Sequence, residues 1–195
     1  MTLFKNEPVP GNDGLATTVA LLPLAGTEKV AMIGPQANFT LEMLSNYEGS
    51  NTLALGHSPL MAARAAGLDV TWTPGHSMNV ADGDRSQIPA AVAAARAADV
   101  AIVMVGLCAD HCSGGKGVED EGFDRLCSPG GHCLGLPGAQ EPLLEAVLAA
   151  QPKTVLVMIN GGMISIAWAS AHVPAILGAW CGNFDIILDP FFAYY

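Results

Sequence analysis

Charge is scarce in this sequence, and positive charge scarcest of all. Charged residues make up 13% of the 195, about half the usual share, and 8 Lys and Arg stand against 18 Asp and Glu for a net charge of −10. Phosphate backbones repel such a surface, so nucleic acid is excluded as a partner. Long apolar runs are missing as well. The longest, at residues 100–107 and 154–159, are bounded by turn residues and too short to cross a bilayer as helices, so no membrane association is expected. The opening MTLFKNEPVPGNDG lacks the basic start and apolar core of a signal peptide. Nucleotide-binding patterns are absent too. Gly34-Pro-Gln-Ala stands where a dinucleotide fold needs G-x-G-x-x-G, and Gly114-Gly-Lys-Gly has neither the spacing nor the Ser/Thr of a phosphate-binding loop.

Apolar residues, by contrast, make up 51% of the chain. Runs of Ala, Val, Leu and Ile with few charges describe elements buried on both faces, as in parallel sheets covered by helices. A chain of this length suits one domain and buries most of its apolar surface. So low a charge also points to surface hidden against a partner domain.

Strand-like and helix-like runs alternate. Residues 29–34 (KVAMIG) read as a buried strand stopped by Gly34-Pro35. Residues 58–67 (SPLMAARAAG) read as a helix, with Ser58 as cap, Pro59 in the first turn and Gly67 at the end. A short strand is expected at 70–73 and an Ala-rich helix at 87–98, where Pro89 is tolerated near the start. Residues 99–107 (DVAIVMVGL) give the clearest strand. A Gly- and Cys-rich loop follows to Pro137, then a helix at 140–150 and strands at 154–159 and 174–180, with an apolar run at 164–168 between them. This order predicts an α/β fold: a three-layer α/β/α sandwich around a mainly parallel sheet. Met61, Met104 and Met158 sit in apolar runs and read as core fillers, while His57, His76 and His172 are scattered and read as packed or surface side chains.

Ligands of open α/β sheets collect beyond the carboxyl ends of the strands, so the loop after Leu107 is the first place to look. A loop of that length inside a compact domain is usually functional or disordered. Its segment VEDEGFDR places Glu119, Asp120, Glu121, Asp124 and Arg125 within eight residues of an otherwise charge-poor chain. Carboxylates serve sugar chemistry as proton donors and as stabilisers of a developing oxocarbenium ion. A Glu donates to a leaving glycosidic oxygen once burial or a neighbouring carboxylate raises its pKa from about 4.3. A solvated acidic loop with an Asp124–Arg125 surface pair, worth under about 1 kcal/mol, explains the same residues, and composition alone favours it.

The blocks LLPLAGTEKVAMIGPQANFTLEMLSNYEG, SPLMAARAAGLDVTWTPG, DVAIVMVGL, EDEGFDR, LGLPGAQEPLLEAV, TVLVMINGGMISIAW and PAILGAW run collinearly from about residue 22 to 180. Together they resemble the C-terminal domain of glycoside hydrolase family 3, the β-glucosidase and β-xylosidase family, cut short at both ends. LFKNE near the start is similar to the family's segment leading in from a barrel domain. The resemblance implies a retaining hydrolase of two domains. Its aspartate nucleophile lies on an N-terminal barrel absent from this chain, and its acid/base glutamate lies on the sandwich. The position matching that glutamate is Glu119, with Glu121 as runner-up, and Asp124 and Arg125 match a pair that shapes the loop near the sugar. The implied substrate is a β-linked oligosaccharide or aryl glycoside, with no metal and no organic cofactor. Family members are often secreted or vacuolar. A non-catalytic sugar-binding or docking module is the alternative reading.

The sequence also departs from the family. Cys108 stands where an Asp is usual, and CADHCSGGKG and CSPGGHC lengthen the loop on either side of the acidic stretch. The domain is expected to span 1–180, with 181–195 (CGNFDIILDPFFAYY) a divergent tail of real divergence or gene-model origin. Five cysteines leave at least one thiol outside any disulfide scheme. Cys108, Cys112, Cys127 and Cys133, with His111 and His132, offer a zinc-binding alternative, but they lack paired C-x2-C spacing, and loop disulfides are the better reading.

Overall fold

The computed structural model describes residues 1–10, 18–38, 58–77, 83–107, 134–160 and 163–179. Its centre is a six-stranded sheet in the order β1-β8-β7-β6-β4-β5, made of β1 (Thr2–Asn6), β4 (Val30–Ile33), β5 (Val70–Thr73), β6 (Val100–Gly106), β7 (Thr154–Ile159) and β8 (Ala175–Gly178). Every pairing is parallel except β1 on β8, which is antiparallel with Thr2 opposite Gly178 and Asn6 opposite Ala175. A separate hairpin joins β2 (Pro8–Pro10) to β3 (Thr18–Ala20).

The inner strands are apolar at every position because both faces are covered. All residues of β4, β6, β7 and β8 are buried. Successive side chains alternate between two cores. Val30, Met32, Ile102, Met104, Val155 and Val157 face the first, under α1 (Pro59–Ala65) and the Leu21–Leu24 stretch. Ala31, Ile33, Val103, Val105, Leu156 and Ile176 face the second, under α2 (Ile88–Arg96), α3 (Gln140–Ala150) and α4 (Ala167–His172). This is the expected α/β/α sandwich. On α3, Leu143, Leu144 and Val147 are fully buried, each stabilising the fold by roughly 1.5–3 kcal/mol.

Local signals operate as expected at α1. The Ser58 side chain accepts from the Met61 N–H at 3.2 Å, and Pro59 occupies the first turn. The second expectation for this helix is corrected: Met61 is 48% exposed on its outer side, whereas Met104 and Met158 are core residues. His76 is buried with Nδ1 2.6 Å from the Ser77 carbonyl, and His172 stacks on Trp168 with centroids 4.6 Å apart.

The apolar run at 164–168 enters a short helix, α4, packed through Ala169. The N-terminal residues form β1, an integral edge strand. Asn6 fixes it by donating from Nδ2 to the Leu22 carbonyl (2.8 Å) and accepting the Leu22 N–H at Oδ1 (3.0 Å). Lys5 adds a bond from Nζ to the Ser170 carbonyl (2.9 Å).

Candidate site at the carboxyl edge of the sheet

The chain runs from β4 outward to β5, then crosses back to β6 on the other side of β4. Connections therefore leave β4 and β6 in opposite directions. In open α/β sheets that reversal opens a crevice beyond the carboxyl ends of the two strands, where ligands collect.

Both strands leave the sheet at a glycine. Gly34 follows β4 with φ 121°, and a Cβ there would stand 1.9 Å from the Met104 carbonyl oxygen. Gly106 ends β6 with φ 151°, and a Cβ would stand 1.9 Å from the Ile159 carbonyl oxygen. No side chain fits either position unless the neighbouring strand moves. After Gly34 the chain tightens into a 3-10 turn, Pro35–Asn38. Gln36 on this turn is buried, and its Oε1 has no hydrogen-bond partner among the described residues. Asn38 Oδ1 is 3.5 Å from Ser58 Oγ, and the Trp72 indole N–H donates to the Gly34 carbonyl at 3.0 Å.

On the other side, Gly106 is tied to Gln140, the first residue of α3. Its N–H donates to Gln140 Oε1 and its carbonyl accepts from Gln140 Nε2, both at 2.9 Å, with Gln140 wholly buried. Leu107 donates its N–H to the Ile159 carbonyl at 2.9 Å. The 108–133 segment starts from there. The described chain resumes at Leu134, whose carbonyl accepts from the Ser165 N–H at 2.5 Å. Beside Leu134 lies an open, mainly apolar groove of about 390 Å3, with Phe4, Met158, Met163, Ile164 and Asn160 among its walls. Leu134, Phe4 and Met163 are 45%, 56% and 73% exposed.

The sequence-derived site residues Glu119, Glu121, Asp124 and Arg125 lie outside the described residues, as do Cys108, Cys112, Cys127, Cys133, His111, His132 and the 181–195 tail. Among the described residues, no cluster of three or more His, Cys, Asp or Glu suited to a metal ion occurs, and no helix is long and apolar enough to cross a membrane. Asp84, on the connection from β5 to α2, is the described group with a clear shift. The Ser86 backbone N–H, then the Ser86 hydroxyl, hold its carboxyl below the ordinary carboxylate value. Sequence reasoning missed the pairing of Gln140 with Gly106. Its one signal was a Gln at the start of a helix.

Comparison with known proteins adds the following. The family model for the glycosyl hydrolase family 3 C-terminal domain matches residues 1–185. An exo-1,4-beta-xylosidase of Emericella nidulans is 36% identical over 185 residues, covering 92% of this chain and 21% of that protein. An exo-alpha-(1->6)-L-arabinopyranosidase of Bifidobacterium longum is 28% identical over 162 residues, covering 81% of this chain and 19% of that protein. The chain thus spans about a fifth of the length of these relatives. Among solved structures, a family 3 beta-glucosidase of Bifidobacterium adolescentis superposes with a TM-score of 0.65 at 27% identity, covering 96% of this chain and 24% of that one.

Proposed function

The chain belongs to the glycosyl hydrolase family 3 C-terminal domain family, and on that premise we propose that it is the acid-bearing domain of a retaining, exo-acting β-glycosidase. The observation that carries the proposal is where β6 ends. Leu107, which the stretch containing Glu119 follows in sequence, stands at the carboxyl end of an inner strand, the edge where such folds bind ligands.

In this reading Glu119 donates a proton to the glycosidic oxygen as the bond to the anomeric carbon breaks. It then takes a proton from the water that releases the sugar. Retaining hydrolysis needs a second carboxylate, about 5–5.5 Å away, to attack the anomeric carbon. That nucleophile is the Asp of an N-terminal barrel, so the domain acts only within a larger assembly. Glu121 is the alternative donor, and Asp124 and Arg125 shape the segment around the sugar. The substrate is a β-linked oligosaccharide or aryl glycoside. The named relatives act on three different sugars, and much of the pocket that selects the sugar is assigned to the barrel. The domain spans 1–180, and 181–195 is a divergent tail.

A hybrid of the Emericella nidulans xylosidase, its matched region exchanged for this chain, provides the test. Glu119→Gln should lower kcat by about 10²–10⁴-fold on alkyl glycosides, whose leaving groups need the proton, and far less on dinitrophenyl glycosides. Equal activity of hybrid and variant on both substrates would remove Glu119 from the mechanism. A second reading, a docking or sugar-holding module without chemistry, draws on the exposed groove beside Leu134. The hybrid separates the two, since a docking or sugar-holding module leaves Glu119→Gln without effect on alkyl glycosides, and turnover by the purified chain alone contradicts the two-carboxylate scheme.

A further inference from the structure

We infer that Gln140 is a positioning residue whose carboxamide fixes the backbone at Gly106, the end of the strand that leads in sequence to the acidic segment. This rests on the proposed role of Glu119.

The need for such a residue follows from strand register. β4 pairs with β6 only as far as Ile33 opposite Val103, and Gly34 then turns the chain away into the 3-10 turn. β6 continues through Met104, Val105 and Gly106. On its β7 side the exit is held by the Leu107 N–H bonded to the Ile159 carbonyl. On its β4 side the strand that would pair with Gly106 has already left. The Gln140 carboxamide takes that place, offering one acceptor and one donor at 2.9 Å each, as a neighbouring peptide unit would.

Two bonds to one residue hold both of the peptide units that meet at Gly106, where a single bond would leave one of them free to swing. Gly106 has no side chain to restrict it and holds φ 151°, so its own conformational preferences do not set the exit. Gln140 is itself immobile. It is fully buried at the start of α3, whose Leu143, Leu144 and Val147 lock the helix onto the sheet. Ser165 holds the point of return at Leu134. The chain is thus held on both sides of residues 108–133, at Gly106 and Leu107 before them and at Leu134 after them, and Gln140 holds the first of these points. An error of about 1 Å in a catalytic group costs about 10²-fold in rate, so a rigid root has catalytic value.

Two measurements test this. In the 195-residue chain, Gln140→Leu should speed amide exchange at Gly106 by ~10-fold or more beyond the rise at Val103, whose place inside the strand makes it report the general loss of stability. A rise at Gly106 no larger than that at Val103 overturns the clamp. In the xylosidase hybrid, Gln140→Leu should lower kcat on alkyl glycosides by ~10-fold, with KM unchanged and dinitrophenyl glycosides within ~2-fold. Gln140→Met, which keeps the length of the side chain but neither bond, should match Gln140→Leu, and it serves also if Gln140→Leu fails to fold. Equal slowing of both substrate classes overturns the inference in favour of general loosening. In the Glu119→Gln background, Gln140→Leu should add no further loss, and an added ~10-fold loss shows that it acts elsewhere. Should Glu119→Gln itself spare the alkyl glycosides, the role assigned to Gln140 falls with that of Glu119. The exchange result then shows which of the two failed.

Discussion

The exits of β4 and β6 solve one packing problem with different partners. At each, a glycine with positive φ lies so close to the next strand that an added Cβ would meet a carbonyl oxygen at 1.9 Å. At Gly34 a strand still runs alongside, so the backbone of β5 accepts the Gly34 N–H (Thr73 O, 3.1 Å) and the Trp72 indole is left only the carbonyl to satisfy. At Gly106 no described strand remains on the β4 side, and one side chain serves both polar groups. The first exit is secured by sheet, the second by a helix's first residue. A chain that secures an exit with a buried side chain makes it depend on a single residue.

The largest expected effect treats both exits alike. Gly106→Ala and Gly34→Ala each force a methyl into a backbone carbonyl, and each should cost more than about 4 kcal/mol or prevent folding, read by urea unfolding. Tolerance of either would show that the close approach is not essential. The next pair separates them. Gln140→Leu leaves two buried backbone groups unpaired and should cost about 2–4 kcal/mol, while Trp72→Phe removes one bond and should cost about 1 kcal/mol. Equal losses would break the contrast. Ser58→Ala, which uncaps α1 on the β4 side of the crevice, should cost about 1 kcal/mol, with no change in exchange at Gly106.

The smallest effect belongs to an exposed carboxylate on the connection from β5 to α2. Asp84 is held below the ordinary carboxylate value when folded. Its contribution is therefore present above the unfolded value and fades as pH falls through the depressed folded one. Ser86→Ala should raise the Asp84 titration seen by NMR towards that of a free carboxylate, without altering either exit.

Sequence alone revealed the elements whose causes are local or strongly patterned. The β5, β7 and α3 spans coincide with their expected ranges, and β4 and β6 differ by a residue at each end. Ser58 and Pro59 announced α1 because capping is a short-range interaction. β1 was not legible, since TLFKN carries no strand pattern of its own and becomes a strand only by pairing with residues far along the chain. α4 has six residues, too few for a helical period to emerge from the run before it. The acidic segment stood out by its charge. The role of Gln140 could not, because its partner lies 34 residues away and the shortfall it fills arises from where β4 stops.

The antiparallel edge has a consequence for biosynthesis. Residues 2–6 are translated before every other element of this domain, yet the strand they join ends at residue 178. At roughly 5–20 residues per second, β1 waits about 9–35 s for its partner to be made. Throughout that interval Leu3 and Phe4, exposed even in the finished fold, have no native sheet to rest on. The earliest piece of this domain to leave the ribosome is thus among the last to find its place, and it is the stretch where a holding chaperone would have most to do.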